Sequence, residues 1–559
     1  MASLSDASKT AATTSNRYEG GDLLVRSLMD FGVKQAFSIS GGPLNSIYHA
    51  CAVHGLPLHH TRHESAACFM AEAISRTTGV PGVAIVTLGP GVTNTVTPAL
   101  VAKMASTPLL IIGAQANTRS FDRGAGMSAD HIPIMAPVTK WSARVLQTER
   151  IPEYLEIAWR RMWAGAPGPV FLEIPVDVLS APATPRGVTA SPPHRPGLDR
   201  SELPRVEAAF AAARRPIVLI GDDVRWDPSD KLARLIENRH LPFVTMRLGR
   251  GAIDEHHPLC AGPGYTPCNA TLRRALAESD LVLLLGHGFE FDLDYGNGVA
   301  SDATVIQCVM DQEQLGRNRP CDIGFVSAPG AFVEAIESYG FGNLDRAWVE
   351  GIVQAWRQEW TSQIAADTSA AGAEALHPLQ AVDAVVKAMP AQTTYVTSHG
   401  NVDFWADARL KIARPDLYLR AGQAGALGTE VPYGIGAKFA DPERPVVVFV
   451  GDGGVGYHVA ELETAARYNR PVTVVVLDDE KWSAIALPQR QSYGGEYEMD
   501  LPRRDWAKVA EGLGCFGAHA ATADEVAAAT RAALASGRPA LIQVRVRSVL
   551  SPYMSYISK

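Results

Sequence analysis

Residues 446–456 read VVVFVGDGGVG, and residues 472–482 read VTVVVLDDEKW. Each is a short run of apolar, mostly β-branched residues with no polar alternation, and each runs into an acid. Such runs suit parallel strands buried on both faces. Glycines directly after a parallel strand let backbone amides approach phosphate oxygens. The carboxyl end of such a strand is also where open α/β sheets bind ligands. If the two strands are neighbours, Asp452 and Asp479 can face one hard cation, and Mg²⁺ takes oxygen ligands shared between carboxylates and phosphates. Taken singly, Gly-Asp-Gly is a common turn and Asp-Asp-Glu a common loop; their placement at two strand ends is what points to a site.

Working outward, similar runs occur at Val83–Val86, Leu109–Ile112, Ile217–Ile220, Leu281–Leu285 and Thr394–Thr397. Between them lie helical patterns, such as the stripe Val459, Leu462, Ala466. Strands alternating with helices predict an α/β fold of parallel sheets with right-handed crossovers. Six prolines between Ala181 and Pro204, and the small-residue stretch Ala365–Pro378, read as linkers. A helix with Trp348, Val353 and Trp356 is expected before the second of them. The chain then divides into three doubly wound parallel-sheet domains at 18–182, 190–345 and 376–547.

At 559 residues the chain has room for three or four domains of about 150 residues each. A net charge of −8 with no long basic run argues against nucleic acid or an anionic membrane surface as partner. No stretch approaches the roughly 20 apolar residues that span a bilayer. The first 17 residues are small and polar, without the apolar core of a secretory signal. Seven dispersed cysteines with no C-x-x-C favour a reducing cytoplasm over disulfides or a zinc site.

Three further stretches carry chemistry. FSISGGP at 37–43 reads as a strand and glycine loop, RHESAA at 62–67 holds Glu64, and GPGVTN occupies 89–94. AGALGT at 424–429 and Gly400-Asn401, after the strand Thr394–Thr397, are candidate loops at the other end of the chain. A glutamate in an otherwise apolar stretch is often a cap or surface residue, and Leu427 taken alone is a core leucine.

Together, Gly451-Asp452-Gly453, the Glu461-Leu462-x-Thr464-Ala465-x-Arg467 stretch, Pro471-Val472 and Asp478-Asp479 resemble the motif of thiamine diphosphate-dependent enzymes of the acetolactate synthase type. The resemblance covers about residues 18–547. It implies pyrimidine-binding, central and diphosphate-binding domains in that order. It also implies thiamine diphosphate and Mg²⁺ as cofactors. The metal would be held by Asp452, Asp479 and the carbonyl of Lys481, and the diphosphate region would involve Gly400, Asn401, Gly453, Gly454 and Trp482. Gly425 would accept from the pyrimidine amine, Leu427 would wedge beneath the bent cofactor, and Glu64 would be the acid on the pyrimidine ring, a task favouring a carboxyl pKa raised by burial.

The implied reaction is carbon–carbon lysis or ligation of a 2-oxo acid or acyloin through an enamine, with an aldehyde or ketone acceptor. A homodimer or homotetramer is implied, because the first domain of one chain meets the third of another. A 2-hydroxyacyl-CoA lyase or oxalyl-CoA decarboxylase type of enzyme and a non-catalytic regulatory homologue are the alternatives.

Within the family, GGDLLVRSL, TRHESAA, APVTKW and GDGGVGY look closest to benzaldehyde lyase. The pattern departs from it at Pro43, at Gly126, at Asp403, at Glu430 and in Asp478-Asp479 standing for Asn-Asn. His399, Asp403, Gln423 and Gln489 are the candidate acid/base groups for the substrate step. Gly288-Phe289-Glu290-Phe291 is a candidate contributor to the substrate pocket.

Overall fold

A computed structural model describes residues 18–551, apart from 185, 189–194, 265–268, 369–374 and 398. It contains three six-stranded sheets in which every strand pair is parallel. The first sheet is built from β1 (Ala36–Ser38), β2 (Leu58–His60), β3 (Gly82–Val86), β4 (Leu109–Gln115), β5 (Trp141–Arg144) and β6 (Pro169–Pro175), in the order β2-β1-β3-β4-β6-β5. The second holds β7 (Pro216–Ile220), β8 (Phe243–Met246), β9 (Cys260–Gly264), β10 (Leu281–Leu285), β11 (Thr304–Val309) and β12 (Ile323–Val326), in the order β12-β11-β10-β7-β8-β9. The third holds β13 (Thr394–Val396), β14 (Tyr418–Leu419), β15 (Val446–Gly451), β16 (Thr473–Asp478), β17 (Phe516–Ala520) and β18 (Ala540–Arg545), in the order β14-β13-β15-β16-β18-β17.

The first and third sheets thus repeat one topology, whereas the second has the strand order of dinucleotide-binding folds. The winding direction reverses between β1 and β3, between β7 and β10, and between β13 and β15; in the first and third sheets it turns back once more at the far edge, where β6 and β18 insert inside β5 and β17. Crevices form at the carboxyl ends of the strands at such points.

The central strands β4, β7, β10 and β15 are the continuous apolar runs of the sequence, and their side chains are buried on both faces. The second sheet has a core of its own. One core runs through the first and third blocks together, where helix Glu64–Thr78 packs on helix Glu430–Ala440. A Cβ on Gly436 would come within 2.6 Å of the Met70 carbonyl oxygen, so the glycine is what allows that close crossing. Inside the contact, Glu72 holds Arg76 in an ion pair and accepts from the Tyr433 hydroxyl at 2.7 Å. All three side chains are buried, and a paired, fully bonded cluster is the form in which charge can be tolerated there.

Two details differ from expectation. The stripe Val459, Leu462, Ala466 does not sit on one helix, because the chain breaks into helices Asp452–His458 and Glu461–Arg467 with Val459 between them. The helix carrying Trp348, Val353 and Trp356 runs Arg346–Thr368, so residues 365–368 of the expected linker are helical and 369–374 lie outside the described residues. Residues 185 and 189–194 of the other expected linker also lie outside them, and Pro204 occupies the first turn of helix Leu203–Ala212, where a proline costs no hydrogen bond.

Candidate active site

Strands β15 and β16 are neighbours, with Gly451 opposite Leu477. Asp452 therefore leaves one strand beside the point where Asp478-Asp479 leaves the next. Together with β13 these strands frame a cavity of about 200 Å³. Gly400, Asn401, Gly425, Leu427, Asp452, Gly453, Gly454, Asp479, Lys481 and Trp482 all line it. Ten residues from four separate loops are thus gathered at the topological switch of the third sheet.

The electrostatics of this cavity are unusual. Burial pushes the Asp452 carboxyl up to about 8, and the neighbouring carboxylates of Asp479 and Asp478 push in the same direction. Burial likewise raises Asp479, to about 6, against the hydrogen bonds it receives from Ser483 and Ser548. Two desolvated carboxyl groups turned toward one space are poorly matched to each other and well matched to a divalent cation. Asp478 does not line the cavity; it accepts from Gln543 Nε2 at 2.6 Å and from the Glu480 amide at 3.1 Å. The second acid of the pair is the one presented.

Among the described residues there is no cluster of three or more His, Cys, Asp or Glu side chains that could hold a metal ion. The Asp452–Asp479 pair supplies two ligands only. Mg²⁺ suits such a site, because it is commonly held by one or two carboxylates and completes its shell from phosphates and water. The Lys481 ammonium is turned to Asp500, at 2.8 Å, and to Glu496, so it is the backbone of Lys481 that is left for the cavity. The ring of Trp482 lies over Gly453, where a Cβ would come within 2.4 Å of it. Gly425 takes the left-handed φ of +66°, and a Cβ there would meet no protein atom within 4 Å. The donor set and this open glycine fit a diphosphate carried on a divalent cation.

Some expected roles are redirected. The Asn401 amide is spent on the chain's last described segment, donating to the Val549 carbonyl and accepting from the Ser551 amide, both at 2.7 Å. Asp403 also lines the cavity, while one of its oxygens accepts from the Gly400 amide at 2.8 Å at the start of helix Asn401–Arg409. Gln489 does not line the cavity and accepts from the Tyr497 amide. Gly126 lies in an exposed loop, whereas Pro43 borders a separate open hollow with Asn45, Ser46 and His49.

Glu64 is the first residue of its helix and is half-buried. Its Oε2 accepts from Asn94 Nδ2 at 3.0 Å, which joins the RHESAA and GPGVTN stretches. No residue of the first sheet's block lines the 200 Å³ cavity, so within one chain Glu64 and the Asp452–Asp479 pair serve different spaces. The Glu64 helix is nevertheless held by the third block. Glu461 accepts from the backbone amides of Arg62 and His63, at 2.9 and 3.0 Å, and Ser65 Oγ meets His458 Nε2 at 2.8 Å. His458 Nδ1 in turn donates to the Gly428 carbonyl at 2.6 Å. Sequence reasoning did not find Ser483, Ser548, His458 or this use of Glu461. Only Glu461 lay inside a recognisable motif, and its partners are some 400 residues away.

Comparison with known proteins agrees with this geometry. Residues 18–134 match the thiamine pyrophosphate enzyme N-terminal TPP binding domain, residues 203–336 its central domain, and residues 398–544 its C-terminal TPP binding domain. The chain is 31% identical to the acetolactate synthase isozyme 3 large subunit of Escherichia coli, over 89% of each protein. It is 29% identical to a probable acetolactate synthase of Mycobacterium bovis, over 94% of this chain and 95% of that protein. It is also 29% identical to 2-hydroxyacyl-CoA lyase 2 of Bos taurus, over 90% of this chain and 85% of that protein.

Proposed function

The chain belongs to the thiamine pyrophosphate enzymes, and we propose on that premise that it makes or breaks the carbon–carbon bond of an acyloin or 2-oxo acid. It is a thiamine diphosphate-dependent lyase or carboligase. The observation that carries the finer assignment is the pair of desolvated acids, Asp452 and Asp479, at the switch of the third sheet. They would hold the cofactor's diphosphate through Mg²⁺, with the Lys481 carbonyl as a further oxygen ligand. Gly425 and Leu427 would hold the pyrimidine and thiazolium rings. Bound there, thiamine diphosphate supplies the carbanion chemistry that lets such a bond break or form.

Glu64 is the carboxyl group that would hydrogen-bond the pyrimidine ring. Because it does not share the cavity of its own chain, the complete site calls for a second copy, and a homodimer or homotetramer follows. Exposed Ile485, which lines the cavity, and exposed Tyr493 at the end of the same helix support such a contact. Cys51, Cys68, Cys260, Cys308, Cys321 and Cys515 are free, which suits a reducing cytoplasm. No helix among the described residues is long and apolar enough to cross a membrane.

The test is an assay of purified protein with thiamine diphosphate and Mg²⁺. Pyruvate decarboxylation, or acyloin formation or cleavage, is expected; none across a broad panel of 2-oxo acids and acyloins would remove the assignment. A 2-hydroxyacyl-CoA substrate is the second reading, favoured by the similarity to 2-hydroxyacyl-CoA lyase 2. It predicts turnover of a 2-hydroxyacyl-CoA thioester in the same assay.

A further inference from the structure

A cluster of ionisable side chains lies inside the first block, where Glu173 on β6, Arg144 on β5, Gln115 at the end of β4 and His131 meet. None of them lines the 200 Å³ cavity. The side chains of Glu173 and His131 are completely buried. Burial of such groups is costly unless each finds its partners, and here each does. Glu173 accepts from His131 Nδ1 at 2.5 Å, from Gln115 Nε2 at 2.7 Å and from the Arg144 guanidinium. Gln115 also donates to the Ala129 carbonyl at 2.8 Å and accepts from the Ser128 hydroxyl at 3.1 Å. The segment leading into His131 is therefore tied to the same cluster.

Through His131 the cluster reaches the GPGVTN stretch. His131 Nε2 faces the backbone amide of Gly89 at 2.9 Å. A backbone N–H only donates, and a carboxylate only accepts. The imidazole accordingly carries its hydrogen on Nδ1, toward Glu173, and turns a lone pair to Gly89. The carboxylate sets the tautomer, and the tautomer makes the bond to Gly89 possible.

Gly89 takes φ +62° and ψ −118°, a conformation open to glycine, and a Cβ there would come within 2.4 Å of the Met127 carbonyl oxygen. The short helix Pro90–Thr93 follows. The Thr93 and Asn94 amides bond back to the Gly89 and Pro90 carbonyls, each at 3.0 Å, so the position of residue 89 is passed on to residue 94. The stretch ends against Glu64. Asn94 Nδ2 donates to Glu64 Oε2 at 3.0 Å, and a Cβ on Gly91 would lie 3.8 Å from Glu64 Oε1. His131 and Glu64 thus hold opposite ends of one short segment.

We infer that His131 is a positioning residue for Glu64: backed by Glu173, it anchors residue 89 so that Asn94 delivers its amide to the Glu64 carboxyl group. The inference rests on the reading of Glu64 as the acid on the cofactor's pyrimidine ring.

The test follows exchange of the thiazolium C2 proton for deuterium, by NMR after an acid quench, in protein loaded with thiamine diphosphate and Mg²⁺. No substrate or turnover is needed. His131→Asn places an amide where Nδ1 stands, so it keeps the Glu173 bond and loses the one to Gly89. Exchange should slow about tenfold or more, the order of effect that a small displacement of a catalytic group has, with cofactor affinity by calorimetry unchanged. His131→Gln reaches the Nε2 position with an acceptor oxygen and should restore most of the wild-type rate. Should His131→Asn fail to fold, Asn94→Ala cuts the same connection at its far end, with the same slow exchange and unchanged affinity expected. Wild-type exchange in folded His131→Asn or in Asn94→Ala would overturn the inference. So would His131→Gln as slow as His131→Asn, or cofactor affinity falling in step with exchange, since either marks a merely structural role. Glu64→Gln separates the two readings. Slow exchange there beside wild-type exchange in His131→Asn defeats the positioning role alone, whereas wild-type exchange in Glu64→Gln defeats the role proposed for Glu64 and this inference with it.

Discussion

The crevices of the second and third sheets both bury carboxylates at the carboxyl ends of parallel strands, yet they resolve that burden in opposite ways. In the second, burial would raise the Asp292 carboxyl, but Arg247 and His287 more than reverse this and hold it down at about 2. The chain has supplied its own cations. In the third, burial and the facing acids raise Asp452 to about 8, and Lys481, the lysine among the residues lining the space, is paired with Glu496 and Asp500. The glycines differ too. A Cβ on Gly221 would come within 2.4 Å of His287, and one on Gly286 within 2.8 Å of Asp223, so the second sheet's glycines serve the chain's own packing. Gly425 opens onto free space. Asp223 of the second crevice is itself raised by burial to about 7, so the contrast lies between Asp292, which the chain has paired with its own cations, and Asp452 and Asp479, which are left for a cation from outside.

The comparison can be broken most severely at Asp452. Asp452→Ala should abolish Mg²⁺-dependent cofactor binding and lower activity by more than about 100-fold, since metal and diphosphate are lost together. The cofactor-free variant should also melt higher than the wild type, because a desolvated, repelled carboxyl has been removed. Calorimetry and a thermal melt check both parts; a lower melting temperature would contradict the account of the third crevice. In the second crevice the sign is reversed. Arg247→Met removes the guanidinium shared by Asp222, Glu290 and Asp292, leaving Asp292 only His287, and should cost about 3–5 kcal/mol of stability in chemical denaturation. Cofactor affinity should fall far less than in Asp452→Ala.

The pH dependence separates Asp452 and Asp479 from Asp292 without mutation, with Asp223 of the second crevice, raised to about 7, adding to the alkaline loss. Asp452 and Asp479 are raised, so they contribute stability fully below the ordinary carboxylate range, and this is lost as pH rises through about 6 and then about 8. Asp292 is depressed, so its contribution is present above that range and is lost only as pH falls toward about 2. Cofactor-free protein should lose melting temperature between pH 5 and 8.5, and thiamine diphosphate with Mg²⁺ should restore it most at the alkaline end. The smallest effect is expected at Asp479→Asn. An amide oxygen still ligates a hard cation, so the metal affinity should change by no more than about tenfold, with a shallower pH dependence of the melt.

Much of this was legible in the sequence because buried parallel strands are continuous apolar runs, and β4, β7, β10, β15 and β16 announce themselves in that way. The edge strands do not. Leu58–His60, Trp141–Arg144, Cys260–Gly264 and Phe516–Ala520 mix polar, small and aromatic residues, because an edge strand is covered on fewer sides. Asp452 and Asp479 were legible for a local reason, each standing at the end of such a run. Ser548 was not, since what qualifies it is proximity to Asp479 across the fold, and Ser483, four residues after Asp479, carries no motif that marks it. A larger cavity, of about 890 Å³, was legible in pieces, since the candidates Glu290, Phe291, His399 and Gln423 all line it, but Leu100, Met104 and Tyr295 were not, because only the tertiary structure brings three blocks together there. Gln489 shows the converse: its residue type suited acid/base work, and a local hydrogen bond to the Tyr497 amide had already claimed it.

The most direct measurement is the binding of thiamine diphosphate, by calorimetry, to the wild type and to an Asp452→Ala/Asp479→Ala double variant, with Mg²⁺ and with EDTA. Binding to the wild type only when Mg²⁺ is present, and to the double variant in neither condition, is the predicted result. Equal affinity in EDTA, or a double variant that binds as tightly as the wild type, would contradict the claim that the third crevice is completed by an external cation.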